Sequence, residues 1–168
     1  MQEFIKSYGR TASLLLLGLA LLFIDFFTKA YIYNLVPLSR PVFQNFLGGI
    51  DFYFSLTFNK GAAWGLFSNF RYLLVAVRIA VIVGLFVYLF FRCDNRKMDA
   101  PLVLVLAGAI GNIVDFFLYG YVVDFLHFRF FGHSFAVFNI ADALISIGVA
   151  WLFLLFLFTK KKKPDVSL

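Results

Sequence analysis

The stretch 120–142, GYVVDFLHFRFFGHSFAVFNIAD, lies between two long apolar segments and contains the aspartates Asp124 and Asp142. An ionised carboxylate is costly in hydrocarbon, so carboxylates beside membrane-spanning segments usually face a protein interior or a water-filled cavity. The apolar neighbours predict membrane helices. The two aspartates predict a polar site between those helices, in which they face each other.

The composition supports a membrane protein. The chain has 168 residues, of which 62% are hydrophobic, 21% aromatic and 14% charged, and its mean hydropathy is +0.90. A soluble domain of this size could not cover so much apolar surface, whereas a lipid bilayer does not require it to be covered. The net charge of +6 does not indicate nucleic-acid binding, because the basic residues lie at the ends of the apolar segments. The single cysteine, Cys93, excludes a disulfide within the chain.

Four apolar segments are each close to the roughly 20 residues that cross a bilayer as a helix. They are 11–33, 72–91, 100–119 and 137–158. The first could also be a cleavable signal peptide, since Lys6 and Arg10 precede it. Asp25 and Lys29 occupy the place where small residues would permit cleavage, so an uncleaved helix is favoured.

The basic residues predict the orientation of the chain. They precede the first span, lie between the second and third, and follow the fourth at 160–163, all on one side of a four-span arrangement. Both termini are therefore expected in the cytoplasm. The segments 34–71 and 120–136 are expected on the outer side of the membrane.

Residues 50–59, IDFYFSLTFN, alternate apolar and more polar side chains, which predicts a strand with one apolar face. The predicted fold class is an all-α membrane protein of four transmembrane helices. A small β-containing extracytoplasmic segment, 34–71, would lie on the outer membrane surface. The whole chain, 1–168, would form one domain.

Polar residues of three spans fall at one depth, towards the outer leaflet, if each residue adds about 1.5 Å along a helix. They are Asp25, Lys29, Asn112, Asp115, Asn139 and Asp142. Within each span they are three or four residues apart, so they share a helix face. Gly108 and Gly111 would let another helix, or a substrate helix, approach the third span closely.

Simpler interpretations exist for several of these residues. Asp25 and Lys29 could merely neutralise each other, and Asn112 and Asp115 could only form hydrogen bonds between helices. Arg78 is expected to be a snorkelling or a lipid-facing residue near the outer surface of the membrane.

Five short blocks occur in order along the chain. They are DFFTK (25–29), NKGAAW (59–64), GAIGNIVD (108–115), VVDF (122–125) and FNIAD (138–142). In these blocks the chain resembles the lipoprotein signal peptidases, or signal peptidase II, over nearly its whole length. Two positions depart from the family pattern, since Phe26 replaces the usual Gln and Phe116 the usual Arg. Lys29 or Arg129 could supply the missing cation.

The resemblance implies an intramembrane aspartyl endopeptidase of the bacterial cytoplasmic membrane. Its substrates would be prolipoproteins carrying a diacylglyceryl-modified cysteine, which it would cut just before that cysteine. Asp124 and Asp142 would be catalytic, without a metal or another cofactor. Besides prolipoproteins, only membrane lipids are expected as partners, and the protein is expected to be a monomer. Residues expected to support the site or bind substrate are Asp25, Lys29, Asn59, Gly61, Ala62, Gly108, Asn112, Asp115, Asn139 and Ala141.

Other classes fit less well. His127 and His133 lie in a short connection without a ligand motif, and neither H-E-x-x-H nor a complete G-x-S-x-G occurs. The main alternative is a small proton- or ion-coupled transporter that uses Asp25, Asp115 and Asp142 as a relay. A relay predicts polar residues at successive depths, whereas these lie at one depth. A non-catalytic scaffold would leave the shared depth unexplained.

Overall fold

The computed structural model describes residues 2–36, 39–61 and 68–158, so the predicted basic tail at 160–163 lies outside the described residues. The helices are α1 (Gln2–Leu35), α2 (Arg71–Phe91), α3 (Asp99–Tyr119) and α4 (Ile140–Phe158). The strands are β1 (Ser39–Phe46), β2 (Ile50–Asn59), β3 (Val122–Phe130) and β4 (His133–Ser134). Each helix contains a stretch long and apolar enough to cross a membrane. Four apolar helices and a small antiparallel sheet are thus confirmed, and the placement of the sheet outside the membrane stays a prediction.

Helix α3 is the centre of the helical part. In its most apolar stretch 56% of the residues are buried, against 6% to 11% in the other three helices. It packs against α1, α2 and α4. Many apolar side chains of the surrounding helices are exposed, as expected for surfaces that contact lipid.

Two glycines let α3 and α4 approach closely. A side chain at Gly108 of α3 would collide with the Ala141 carbonyl oxygen of α4. A Cβ at Gly148 of α4 would lie 2.7 Å from the Pro101 carbonyl oxygen of α3. Small residues at such crossings allow backbones to pack directly. The partner that approaches Gly108 is therefore α4 of the same chain.

At the end of the helices away from the sheet, Arg10 connects α1 to the turn before α3. Its guanidinium donates to the Asp99 carboxylate at 2.8 Å and to the Cys93 carbonyl oxygen at 2.7 Å. Cys93 itself is buried. Helix α1 already begins at Gln2, before the predicted span, and α4 begins at Ile140, after the predicted start.

The strands form one antiparallel sheet in the order β1-β2-β3-β4. Strand β2 occupies the stretch in which the alternating pattern predicts a strand. The sheet is larger than expected, because the segment 120–136, for which the sequence predicts only a short connection, contains β3 and β4. Phe52 and Phe128 lie opposite each other on β2 and β3, with ring centroids 4.6 Å apart. Such cross-strand aromatic pairs stabilise a sheet.

The chain reverses sharply between α3 and β3. Gly120 caps α3 with φ of 77° and donates its N–H to the Phe116 carbonyl oxygen at 2.9 Å. Glycine adopts this left-handed conformation without steric cost. The turn directs β3 back over the end of the helices, and the register pairs Asp124 with Thr57 of β2.

Candidate active site

Asp124 lies on β3 and is 2% exposed. One carboxylate oxygen accepts a hydrogen bond from the Asn139 amide at 2.8 Å, and the other accepts one from the Asn59 amide at 3.0 Å. Burial raises the pKa of Asp124 to about 7, and the nearby charge of Asp142 adds to this effect. Asp124 can therefore hold a proton near neutral pH.

Asp142 lies in the first turn of α4 and is half-buried. Its backbone N–H donates to the Asn139 side-chain oxygen at 2.8 Å, while its carboxylate accepts the Asn139 backbone N–H at 3.3 Å. This reciprocal pair is a capping box, which satisfies N–H groups that a helix start leaves unpaired. The three-residue spacing thus fixes the Asp142 side chain at the start of α4.

Asn139 and Asn112 connect the two carboxyl groups. Asn139 is fully buried, and the amide that donates to Asp124 also donates to the Asn112 side-chain oxygen at 3.1 Å. The Asn112 amide in turn donates to Asp142 at 2.8 Å. Both aspartates are therefore held by one set of side-chain hydrogen bonds from α3 and from the start of α4.

Lys29 is a buried cation next to this hydrogen-bond network, and 3% of its surface is exposed. Its ammonium group lies 2.8 Å from the Asp25 carboxylate and 2.9 Å from the Asp115 carboxylate, and it donates to Asn112 at 3.3 Å. Asp115 accepts the Val123 backbone N–H at 3.1 Å, next to Asp124. The predicted polar residues of α1 and α3 therefore meet, and they brace the start of β3.

Asp25 also fixes the start of α4. Its carboxylate accepts the Ala141 backbone N–H at 2.9 Å. A Cβ at Gly111 would lie 2.5 Å from this carboxylate, so glycine is needed there. Gly108 contacts the Ala141 carbonyl oxygen, as described above. These residues position the helix that carries Asp142.

Asn59 and Gly61 form a turn beside Asp124. The Asn59 side-chain oxygen accepts the Gly61 N–H at 2.9 Å, and the Gly61 carbonyl oxygen accepts a hydrogen bond from Arg78 of α2 at 3.0 Å. The expectation that Arg78 faces lipid is therefore wrong, because its guanidinium points to the turn. The remaining predicted residue, Ala62, lies outside the described residues.

Two cavities meet at the aspartates. The first, about 510 Å³, is lined by Asp142, Arg78 and mostly apolar residues of α4. The second, about 540 Å³, is lined by Asp124, by polar residues of the sheet and by Lys60, which follows β2. Residues that line both cavities are Asn59, Phe135, Ala136 and Val137. Asp142 therefore lines one of two adjoining cavities and Asp124 the other.

The structure also shows the surroundings of the two positions that depart from the pattern of the five sequence blocks. Lys29, and not Arg129, lies next to Asp115, since Arg129 donates to the Gly132 carbonyl oxygen at 3.4 Å. Phe116 packs edge-to-face on Tyr72, with ring centroids 6.3 Å apart. Phe26 is half exposed on α1. Phe116 therefore takes an aromatic contact with α2.

No metal site was predicted at the histidines. His127 forms hydrogen bonds with Ser55 at 3.1 Å and Ser134 at 3.2 Å. Within the described ranges, no group of three or more His, Cys, Asp and Glu side chains is arranged to hold a metal ion.

Sequence reasoning missed two parts of the site. An isolated charge in an apolar span favours a lipid-facing position, whereas Arg78 lines the first cavity. The segment Phe135 to Val137 has only apolar side chains, which do not indicate a site, although it lines both cavities. The rarity of arginine in membrane spans was the signal that could have identified Arg78.

Comparisons with known proteins identify the family of the chain. A family model described as Signal peptidase (SPase) II matches residues 17–158. The lipoprotein signal peptidase of Chlamydia pneumoniae is 40% identical over 160 residues, covering 91% of this chain and 95% of that protein. The lipoprotein signal peptidase of Chlamydia felis (strain Fe/C-56) is 38% identical over 163 residues, covering 92% and 98%.

A solved structure is also similar. It is a bacterial membrane enzyme determined by the in meso method at 2.3 Å resolution, with a TM-score of 0.78 and 31% identity. The similarity covers 93% of this chain and 95% of that one. The resemblance seen in the five sequence blocks is thereby confirmed, and the chain belongs to the signal peptidase II family of proteases.

Proposed function

We propose that the protein is an intramembrane aspartyl endopeptidase that removes signal peptides from diacylglyceryl-modified prolipoproteins. It cuts just before the lipidated cysteine, and Asp124 and Asp142 are its catalytic residues. The observation that carries the proposal is the pair of carboxyl groups, held by Asn139 and Asn112 where the two cavities meet. Family membership supports the choice of substrate.

In the proposed reaction the two carboxyl groups share one proton, because two close carboxylates do not both ionise readily. The ionised carboxylate takes a proton from water as the water oxygen bonds to the scissile carbonyl carbon. The protonated carboxyl group gives its proton to the carbonyl oxygen. The tetrahedral intermediate then collapses. The carboxyl group that took the proton from water passes it to the cysteine nitrogen as the carbon–nitrogen bond breaks, and the other carboxylate takes a proton back from a hydroxyl group of the intermediate. The raised pKa of Asp124 supports a proton on the pair at neutral pH.

The proposed orientation places both termini in the cytoplasm and the aspartates towards the outer leaflet of a bacterial inner membrane. The four apolar helices and the distribution of basic residues support it. The sheet would lie on the outer membrane surface and hold the substrate from above. The mostly apolar first cavity suits the end of a signal peptide, and the more polar second cavity suits the chain that follows the cysteine.

The transporter alternative gains no support from the site. Asp25 and Asp115 are each paired with Lys29, and Asp142 is bonded to Asn112 and Asn139. These contacts form one compact cluster rather than a series of groups at successive depths.

A cleavage assay with purified protein in lipid or detergent tests the proposal. Diacylglyceryl-modified prolipoprotein and the same precursor without the lipid are offered separately, and the products are identified by mass spectrometry. We expect cleavage of the lipidated precursor just before the modified cysteine and little cleavage of the other. Equal cleavage of both precursors, cleavage elsewhere, or no cleavage by folded protein would contradict the proposal.

A further inference from the structure

Arg78 is a charged residue within an apolar helix. It lies seven residues after the start of α2, or about 10 Å along the axis at 1.5 Å per residue. Arginine at such a position is costly unless it faces protein or a cavity. Here it does both, since it donates to Gly61 and lines the first cavity together with Asp142.

A continuous set of hydrogen bonds leads from Arg78 to Asp124. The guanidinium donates to the buried Gly61 carbonyl oxygen at 3.0 Å, and the Gly61 N–H donates to the Asn59 side-chain oxygen at 2.9 Å. The Asn59 amide then donates to the Asp124 carboxylate at 3.0 Å. Because Gly61 holds the side-chain oxygen of Asn59, the amide group of Asn59 is directed at Asp124.

Within residues 2–36, 39–61 and 68–158, the Gly61 carbonyl oxygen is the hydrogen-bond partner of the Arg78 side chain. The guanidinium therefore joins α2 to the end of β2 by this one bond. Helix α2 otherwise packs mainly on α3. The hydrogen bond links a membrane helix to the strand end that carries Asn59.

We infer that Arg78 is a positioning residue, which holds the Asn59–Gly61 turn so that the Asn59 amide binds the Asp124 carboxyl group. This inference rests on the proposed function, because it assigns Arg78 a role in the same reaction. Loss of the guanidinium leaves the turn without its anchor on α2. Asn59 then binds Asp124 less often in the orientation that the reaction needs.

The test is a double-mutant cycle with Arg78→Gln and Asn59→Ala, in which kcat and KM are measured for the lipidated precursor. Arg92→Gln, an exposed arginine at the far end of α2, is the matched control. We expect Arg78→Gln to lower kcat about 10- to 100-fold with little change in KM, as for a misplaced catalytic group. Arg78→Lys should recover part of the rate, and the double variant should be no slower than Asn59→Ala alone.

Three results would overturn the inference. They are a rise in KM at unchanged kcat, losses that multiply in the double variant, and an Arg78→Gln enzyme as active as Arg92→Gln. If Arg78→Gln does not fold, the same cycle is run with Arg78→Lys. This variant should lower kcat by a smaller factor. In the Asn59→Ala background it should again cause no further decrease in kcat. Absence of cleavage by the unmodified protein would instead refute the proposed function, so the two failures are distinguishable.

Discussion

At the scale of single residues, the proton on Asp124 gives the site a defined pH dependence. The pKa of this carboxyl group is raised to about 7, first by burial and then by Asp142, while the Asn59 hydrogen bond opposes the increase. A group with a raised pKa keeps its proton below that pH and loses it above. We expect cleavage to fall as the pH rises through about 7, because the pair then loses its shared proton.

The Asn59→Ala variant provides the check on this assignment. Without the Asn59 amide the ionised form of Asp124 is less stabilised, so the midpoint of the decline should move to higher pH. Rates are measured between about pH 5 and 9 for both proteins. A decline whose midpoint is the same in both proteins would show that another group controls it.

Lys29 should be essential for stability because it lies between two buried carboxylates. Removing one member of a buried ionic cluster leaves uncompensated charge and typically destabilises a protein by about 3–5 kcal/mol. We expect Lys29→Met to lower the melting temperature in detergent clearly, and Asp25→Asn in the same protein to restore part of the loss. Lys97→Met, at an exposed lysine, is the control and should change little. Equal melting temperatures for Lys29→Met and the control would refute this role.

The residues of this cluster could be predicted because helical spacing alone puts them on shared faces. Asp25 with Lys29, and Asn112 with Asp115, are three or four residues apart on regular helices. The contact between Arg78 and Gly61 could not be predicted, since it joins α2 to the end of a strand. The distance between Arg78 and Gly61 depends on the path of the chain between them, which no periodic sequence pattern predicts.

At the scale of helices and strands, the crossing of α3 and α4 sets the position of Asp142. The Ala141 carbonyl oxygen leaves no room for a side chain at Gly108. We expect Gly108→Ala to displace the start of α4, to lower the melting temperature and to reduce kcat about 10-fold or more.

Gly84→Ala on α2 is the matched control, because a Cβ there meets no atom within 4 Å. Both changes replace a helical glycine by alanine and gain similar helix propensity, about 1 kcal/mol. The difference between them therefore isolates the helix contact. Gly108→Ala with the activity and stability of Gly84→Ala would mean that the crossing tolerates a methyl group.

Strand β2 could be predicted from its alternating side chains, whereas the part of β3 that carries Asp124 could not. In VVDFLHFRF only the second half, Leu126–Phe130, alternates between apolar and polar side chains, whereas the first half carries apolar residues on both faces. The first half, which contains Asp124, is recognisable as a strand only by its pairing with β2, where Asp124 lies opposite Thr57. The sheet that positions Asp124 thus depends on contacts between distant parts of the chain.

At the scale of the whole molecule, the predicted orientation can be tested by labelling single cysteines. Cys93 is first replaced by Ser, and His133→Cys or Lys97→Cys is then introduced at an exposed position. We expect a membrane-impermeant maleimide to label intact cells at position 133, and to label position 97 only after the membrane is opened. The basic residues near the second and third helices are the physical reason. The reverse pattern would place the sheet in the cytoplasm.

The most direct test of the central claim is whether Asp124 and Asp142 act as one unit. Cleavage rates are measured for Asp124→Asn, Asp142→Asn and the double variant, each confirmed to be folded by its melting temperature. Residues that act together are strongly non-additive, so each single change should lower kcat by about 10³-fold or more, and the double variant should be no slower. A single variant with normal turnover, or losses that multiply in the double variant, would contradict a shared catalytic pair.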